Sequence, residues 1–166
     1  MRNRGRTDLV LACASGGHLY QLLALREAWE SHSRIWVTER APDAASLLTD
    51  ERVVYGHGPA ERDPKKGVHV IAWRWLRNIL LAFRVMGAAR PKVVLTTGGA
   101  VAVPFAWIGR LFRARVVYVE SLTRIESPSM CCRLVAPVAD RVYVQWPELA
   151  DAMPAARYAG SLLVLP

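Results

Sequence analysis

Cysteine is scarce: Cys13, Cys131 and Cys132 are the three in a chain of 166 residues. None falls in C-x-x-C spacing, and two are adjacent, a poor geometry for an ordinary disulfide. Neither a structural zinc site nor a disulfide framework is therefore expected. An odd, unspaced set of thiols points to a reducing compartment. Acidic residues are also few, 14 against 22 Lys and Arg, which leaves a net charge of +8. That excess asks for a polyanionic partner: nucleic acid, an anionic membrane surface or a phosphate-rich substrate. Motifs that read DNA or RNA are missing, so nucleic acid is not the expected partner. No stretch reaches the roughly 18–20 uninterrupted apolar residues of a membrane-crossing helix. The basic head, with Arg2, Arg4 and Arg6, has a superficial likeness to a secretory leader, but the apolar run behind it is short and breaks at Gly16-Gly17-His18. The dinucleotide fingerprint G-x-G-x-x-G is missing as well.

What is there is a chain with 52% hydrophobic residues, enough for one domain with a real core. Residues 1–7 read as a disordered basic head and 8–166 as a single domain. Its organising stretch runs from Leu9 to Leu25. Leu9 to Ala14 is apolar on both faces, as in a buried parallel strand. Leu19, Leu22, Leu23 and Leu25 have helical spacing. Between them lie Ser15, Gly16, Gly17 and His18. A strand feeding a helix through glycines offers backbone N–H groups and a helix dipole to an anion, above all a phosphate. The other reading is an ordinary turn capped by Ser15.

Alternating strands and helices follow. Arg34–Thr38 and Val53–Tyr55 are strands, with Pro42 opening a helix to Leu48. Gly56 to Gly67 is a polar loop, where His57 reads as a surface histidine. Val68–Ile71 reads as a strand and Trp73–Arg90 as a long helix, closed by Pro91. That helix is apolar over most of its circumference, yet Arg74, Arg77 and Arg84 share a stripe. Trp73, Trp75 and Leu80 beside those arginines suit an anionic membrane interface. The alternative is a core helix with a solvated basic edge, but then Trp73 and Trp75 could not both face the core. A second unit, strand Lys92–Thr97, Gly98-Gly99-Ala100 and an apolar helix to Leu111, repeats the logic of the first. Paired glycine turns make an anion cradle at the strands' carboxyl ends. Strand Arg115–Val119 ends in Glu120 and leads to Arg124, which read either as ligand groups or as a surface ion pair. Ser127 and Pro128 open a helix to about Val135; Arg141–Gln145 is a strand, and the tail from Tyr158 to Val164 reads as a final strand or a docking segment.

Taken together, Ala14 to Leu19, Val94 to Pro104, Tyr118-Val119-Glu120-Ser121 with Arg124, Ala139-Asp140-Arg141 and Val144 to Leu149 resemble a known group. The chain is similar to bacterial capsule and exopolysaccharide glycosyltransferase subunits. Those are related to the membrane-recruiting half of the eukaryotic dolichol-pyrophosphate N-acetylglucosamine transferase. The resemblance implies an α/β fold: a Rossmann-like, mostly parallel sheet with helices on both faces, the N-terminal, acceptor half of a GT-B glycosyltransferase. It implies a separate donor-binding glycosyltransferase subunit that grips a UDP-sugar. This chain would hold a polyprenyl-diphosphate-linked acceptor at the cytoplasmic face of the inner membrane, as a peripheral subunit. Gly16-Gly17-His18 and Gly98-Gly99 match the turns that line the acceptor side, and Glu120 matches a loop near that pocket. The stretch before the first strand does not read as the hydrophobic anchor of the eukaryotic subunit, so membrane attachment is expected to fall on the 73–90 helix.

Chemistry agrees with these expectations. A diphosphate suits two helix N-termini and Arg124, with Ser15, Gly16, Gly17, Gly98 and Gly99 around it. Sugar transfer needs a base for the acceptor hydroxyl, and imidazole is suited to that task. His18 is the expected base, with Glu120 orienting its ring or taking the role itself. No metal and no cofactor are expected. Two other functions stand beside this one: a non-catalytic membrane scaffold that recruits the catalytic subunit, and a self-contained nucleotide-binding enzyme, for which the chain is short.

Overall fold

The structure, a computed structural model, describes residues 7–58 and 68–162. The arginines at positions 2, 4 and 6, the loop from Pro59 to Gly67 and the tail beyond Leu162 lie outside the described residues. Seven strands form one all-parallel sheet: β1 Leu9–Cys13, β2 Arg34–Glu39, β3 Val53–Gly56, β4 Val93–Gly98, β5 Arg115–Val119, β6 Arg141–Val144 and β7 Ala156–Tyr158. Their spatial order is β3-β2-β1-β4-β5-β6-β7. The helices are α1 Gly17–Ala24, α2 Arg26–Trp29, α3 Pro42–Leu47, α4 Val68–Ala89, α5 Ala102–Leu111, α6 Met130–Val135 and α7 Pro147–Ala152, with a 3-10 turn at Ala136–Val138.

Parallel strands joined by helices need both faces covered. Leu11, Cys13 and Trp36 point to one face, where Leu19 and Leu22 of α1, Trp29 of α2 and Ala44 of α3 bury them. Val10, Ala12, Ile35, Val37, Val94 and Val116 point to the other, beneath Ala82 and Met86 of α4, Phe105 of α5 and Val135 of α6. This is the Rossmann-like, doubly covered sheet expected from the sequence.

Three local expectations change. Val68–Ile71 is the first turn of α4, not a strand. The chain must return from edge strand β3 across β2 and β1 to reach β4, and that crossover is made by one 22-residue helix. Val68 and Ile71 are exposed on it. The helix read from Ser127 starts later: Ser129 is the N-cap, its Oγ accepting from the Cys132 N–H at 3.0 Å. The final strand lies earlier than the tail suggested, β7 at Ala156–Tyr158, and Leu162 packs on the sheet's first face.

Candidate functional site

The strands after β1 extend to one side and those after β4 to the other, so the sheet order switches between β1 and β4. Such a switch opens a crevice at the strands' carboxyl ends. Both glycine corners sit there. Cys13 pairs with Gly98, and the Ala14 N–H donates to the Gly98 carbonyl at 2.9 Å. Gly98 and Gly99 have φ of 108° and 99°, and Gly16 has 73°, left-handed conformations that glycine adopts without a Cβ penalty. At Gly99 a Cβ would lie 2.4 Å from Ala14 Cβ, so the corners touch.

His18 joins them. Its Nδ1 lies 2.7 Å from the Thr97 carbonyl, and the Thr97 hydroxyl donates to the His18 carbonyl at 2.7 Å. A carbonyl only accepts, so Nδ1 carries a proton, and in the neutral ring the lone pair is on Nε2. The side chain is half-buried, at the crevice. Thr97, which sequence reading passed over as a strand residue, therefore sets the ring's tautomer and orientation.

The surrounding groups differ from expectation. Glu120 is fully buried and does not orient the imidazole. Its Oε1 accepts from the Ser121 N–H at 2.7 Å and the Tyr118 hydroxyl at 3.3 Å, and Oε2 accepts from the Ser129 N–H at 2.8 Å. It organises the loop between β5 and α6 instead of facing an acceptor. Two N–H groups of the expected cradle are already taken: Asp43 Oδ2 accepts from the Gly16 N–H at 2.6 Å, and Thr96 Oγ1 from the Gly98 N–H at 2.9 Å. Gly17 and Gly99 have no such side-chain partner among the described residues. Ser15 interacts with Glu39 at the end of β2; burial raises the Glu39 carboxyl, the Ser15 hydroxyl opposes that rise and Asp43 adds to it. Arg124 is exposed on the β5–α6 loop, at the same end of the sheet.

Beside the second corner, α4 is clamped to the end of β3. Buried Asn78 accepts from the His57 N–H and donates to its carbonyl, both at 2.8 Å. A recess of about 100 Å³ opens between Arg74, Trp75, His57 and Ala100. Burial, then Arg77 and Arg74, lower the pKa of His57, which favours its neutral form. On the outer side of α4, Trp73 and Leu80 are each 59% exposed, with Leu76, Phe83, Arg77 and Arg84 also exposed. Trp75 turns toward the core and Arg74 is half-buried, so these two leave the expected outer face. The apolar surface continues through Phe83 against Phe112, with centroids 6.2 Å apart, to Leu111 and Trp107 of α5. Among the described residues, no helix is long and apolar enough to cross a membrane, and no group of three or more His, Cys, Asp or Glu is placed to hold a metal ion.

Residues 9–162 match the family model described as "Oligosaccharide biosynthesis protein Alg14 like". The chain belongs to the Alg14-like family. It is 33% identical to a UDP-N-acetylglucosamine transferase subunit ALG14 of Eremothecium gossypii, over 93% of this chain and 80% of that one. It is also 28% identical to a UDP-N-acetylglucosamine--N-acetylmuramyl-(pentapeptide) pyrophosphoryl-undecaprenol N-acetylglucosamine transferase of Prochlorococcus marinus, over 88% of this chain but 41% of that one. Among solved structures, Acinetobacter baumannii MurG superposes with a TM-score of 0.71 at 20% identity, covering 93% of this chain and 45% of that chain. The fold of this Alg14-like chain is thus that of the N-terminal half of GT-B glycosyltransferases.

Proposed function

We propose that this Alg14-like chain is the acceptor-side half of a two-chain, inverting glycosyltransferase. It holds a polyprenyl-diphosphate-linked sugar while a separate subunit presents a UDP-sugar across the crevice. The observation that carries this reading is His18, its Nε2 lone pair fixed by Thr97 at the junction of two glycine corners. The acceptor hydroxyl oxygen bonds to the anomeric carbon while the bond from that carbon to the UDP phosphate breaks. UDP leaves with the electron pair, the hydroxyl proton passes to Nε2, and the single displacement inverts the configuration. The first turn of α1 at Gly17 and the corner at Gly99, with Arg124 from the neighbouring loop, are the groups we assign to the diphosphate.

The outer row of α4 and α5 supports peripheral attachment to an anionic membrane; that this is the cytoplasmic face of the plasma membrane rests on the sequence resemblance. Apolar residues enter the interface while Arg77 and Arg84 pair with lipid phosphates. Use of the product in capsule or exopolysaccharide assembly rests on the sequence resemblance alone.

A non-catalytic scaffold is the second reading, favoured by one observation: the second expected catalytic group, Glu120, is buried and fully engaged. One experiment separates the two. The chain is co-purified with the product of the neighbouring gene and assayed over a panel of sugar nucleotides. Replacement His18→Ala should lower kcat by roughly 10²–10⁴-fold with partner binding intact. Full turnover by that variant removes the base role of His18, and full turnover with Glu120 replaced by Gln as well establishes the scaffold.

A further inference from the structure

We propose that Gln145 is a positioning residue that ties the segment around Leu162 to the turn bearing His18. Gln145 opens the run Gln145-Trp146-Pro147-Glu148-Leu149, and it is 2% exposed at the end of β6. Its Oε1 accepts from the Leu162 N–H at 2.9 Å, and its Nε2 donates to Gln21 Oε1 at 2.8 Å and to the Glu120 carbonyl at 2.9 Å. That set fixes the amide, because a flipped group would face oxygen with oxygen and N–H with N–H. Gln21 continues the series. Its Oε1 also accepts from the Leu122 N–H at 2.9 Å, and its Nε2 donates to the Gly17 carbonyl at 3.1 Å.

Three hydrogen bonds therefore run in sequence from residue 162 through two amides to the residue before His18. Two further bonds fasten the β5–α6 loop to the same amides. The sheet does not need them, since β5 and β6 pair through their main chains at Val117, Tyr118 and Val119. A buried polar network of this kind fixes relative positions, and losing one member leaves its partners unsatisfied. Any force on residues 159–162 is thus felt at the turn that holds the imidazole.

The test uses the full chain with ¹³C-labelled histidine, the His18 signal being identified by its loss in His18→Gln. Gln145→Met and Gln21→Met keep the volume and delete the donors, and Leu162→Pro deletes the N–H at the far end. All three should displace the His18 resonance, and the Gln145→Met/Gln21→Met double variant should move it no further than one alone. Trp107→Phe, which removes the Nε1 bond to the Leu134 carbonyl elsewhere on the fold, should leave it in place. An unmoved resonance in Gln21→Met and Leu162→Pro overturns the proposal even if Gln145→Met does not fold; so do additive shifts. The activity arm rests on reading His18 as the base: with partner and donor present, kcat should fall about tenfold in Gln145→Met at unchanged KM, a cost of about 1.4 kcal/mol. A displaced resonance with kcat intact keeps the coupling and removes the base.

Discussion

Glu39 ends β2 beside the first glycine corner, and its Oε1 is buried without a hydrogen-bond partner among the described residues. Burial raises its carboxyl above the ordinary value of 4.5. Between that value and the raised one, the folded chain holds more protons than the unfolded chain, so stability falls as pH climbs through the window. Glu39→Gln should melt higher than the parent at about pH 7.5, and the gap should close toward about pH 4. The two glycines whose N–H groups have no side-chain partner among the described residues make a contrasting pair. A Cβ at Gly99 meets Ala14 at 2.4 Å on a backbone with φ of 99°, so Gly99→Ala should destabilise the fold by about 2 kcal/mol or more in denaturant titration. A Cβ at Gly17 meets nothing within 4 Å. Gly17→Ala should therefore leave the melting temperature alone and raise KM for the acceptor, if a phosphate approaches that backbone. Residue types were legible in the sequence here: two glycine pairs and a histidine between strand and helix. Their commitments were not. Asp43 reaches Gly16 from 27 positions away, and Glu120 folds back under its own loop, contacts that only the packed chain creates.

At the scale of elements, α4 is the informative case. Trp73, Leu80, Arg77 and Arg84 were readable as an outer face because helical spacing is a local property. The fate of Val68–Ile71 was not, because apolar β-branched residues serve strand and helix alike, and the crossover from β3 to β4 decides between them. Trp75 was misplaced for a related reason: the core beneath α4 extends under it. A sharper membrane test follows. Replacing Trp73, Leu76 and Leu80 by Ser and Arg77 by Glu alters exposed side chains only, so folding should persist while sedimentation with anionic liposomes drops about tenfold or more. Equal pelleting with the parent chain removes the membrane role of this face.

For the whole molecule, the seven-stranded sheet has the fold of the N-terminal half of GT-B glycosyltransferases, and it covers less than half of the longer transferases it resembles. This chain covers 45% of Acinetobacter baumannii MurG and 41% of the Prochlorococcus marinus transferase. In the proposed reaction the donor belongs to the partner. Calorimetry of the chain alone with UDP-sugars should give no binding heat, whereas the complex should bind. Saturable heat from the isolated chain would establish a self-contained nucleotide-binding enzyme. The order of strands was legible as a class, alternating strand and helix with paired glycine corners. That the two corners meet at the switch between β1 and β4 depends on sheet order, which no local pattern states.

The carboxylate of Asp43 on the Gly16 amide makes the first corner a guarded entrance. An incoming anion meets a resident of its own sign and has to push it aside or settle one residue further along. In the proposed reaction a diphosphate held from two corners at once would make that exchange, where a singly charged solute held from one would gain little.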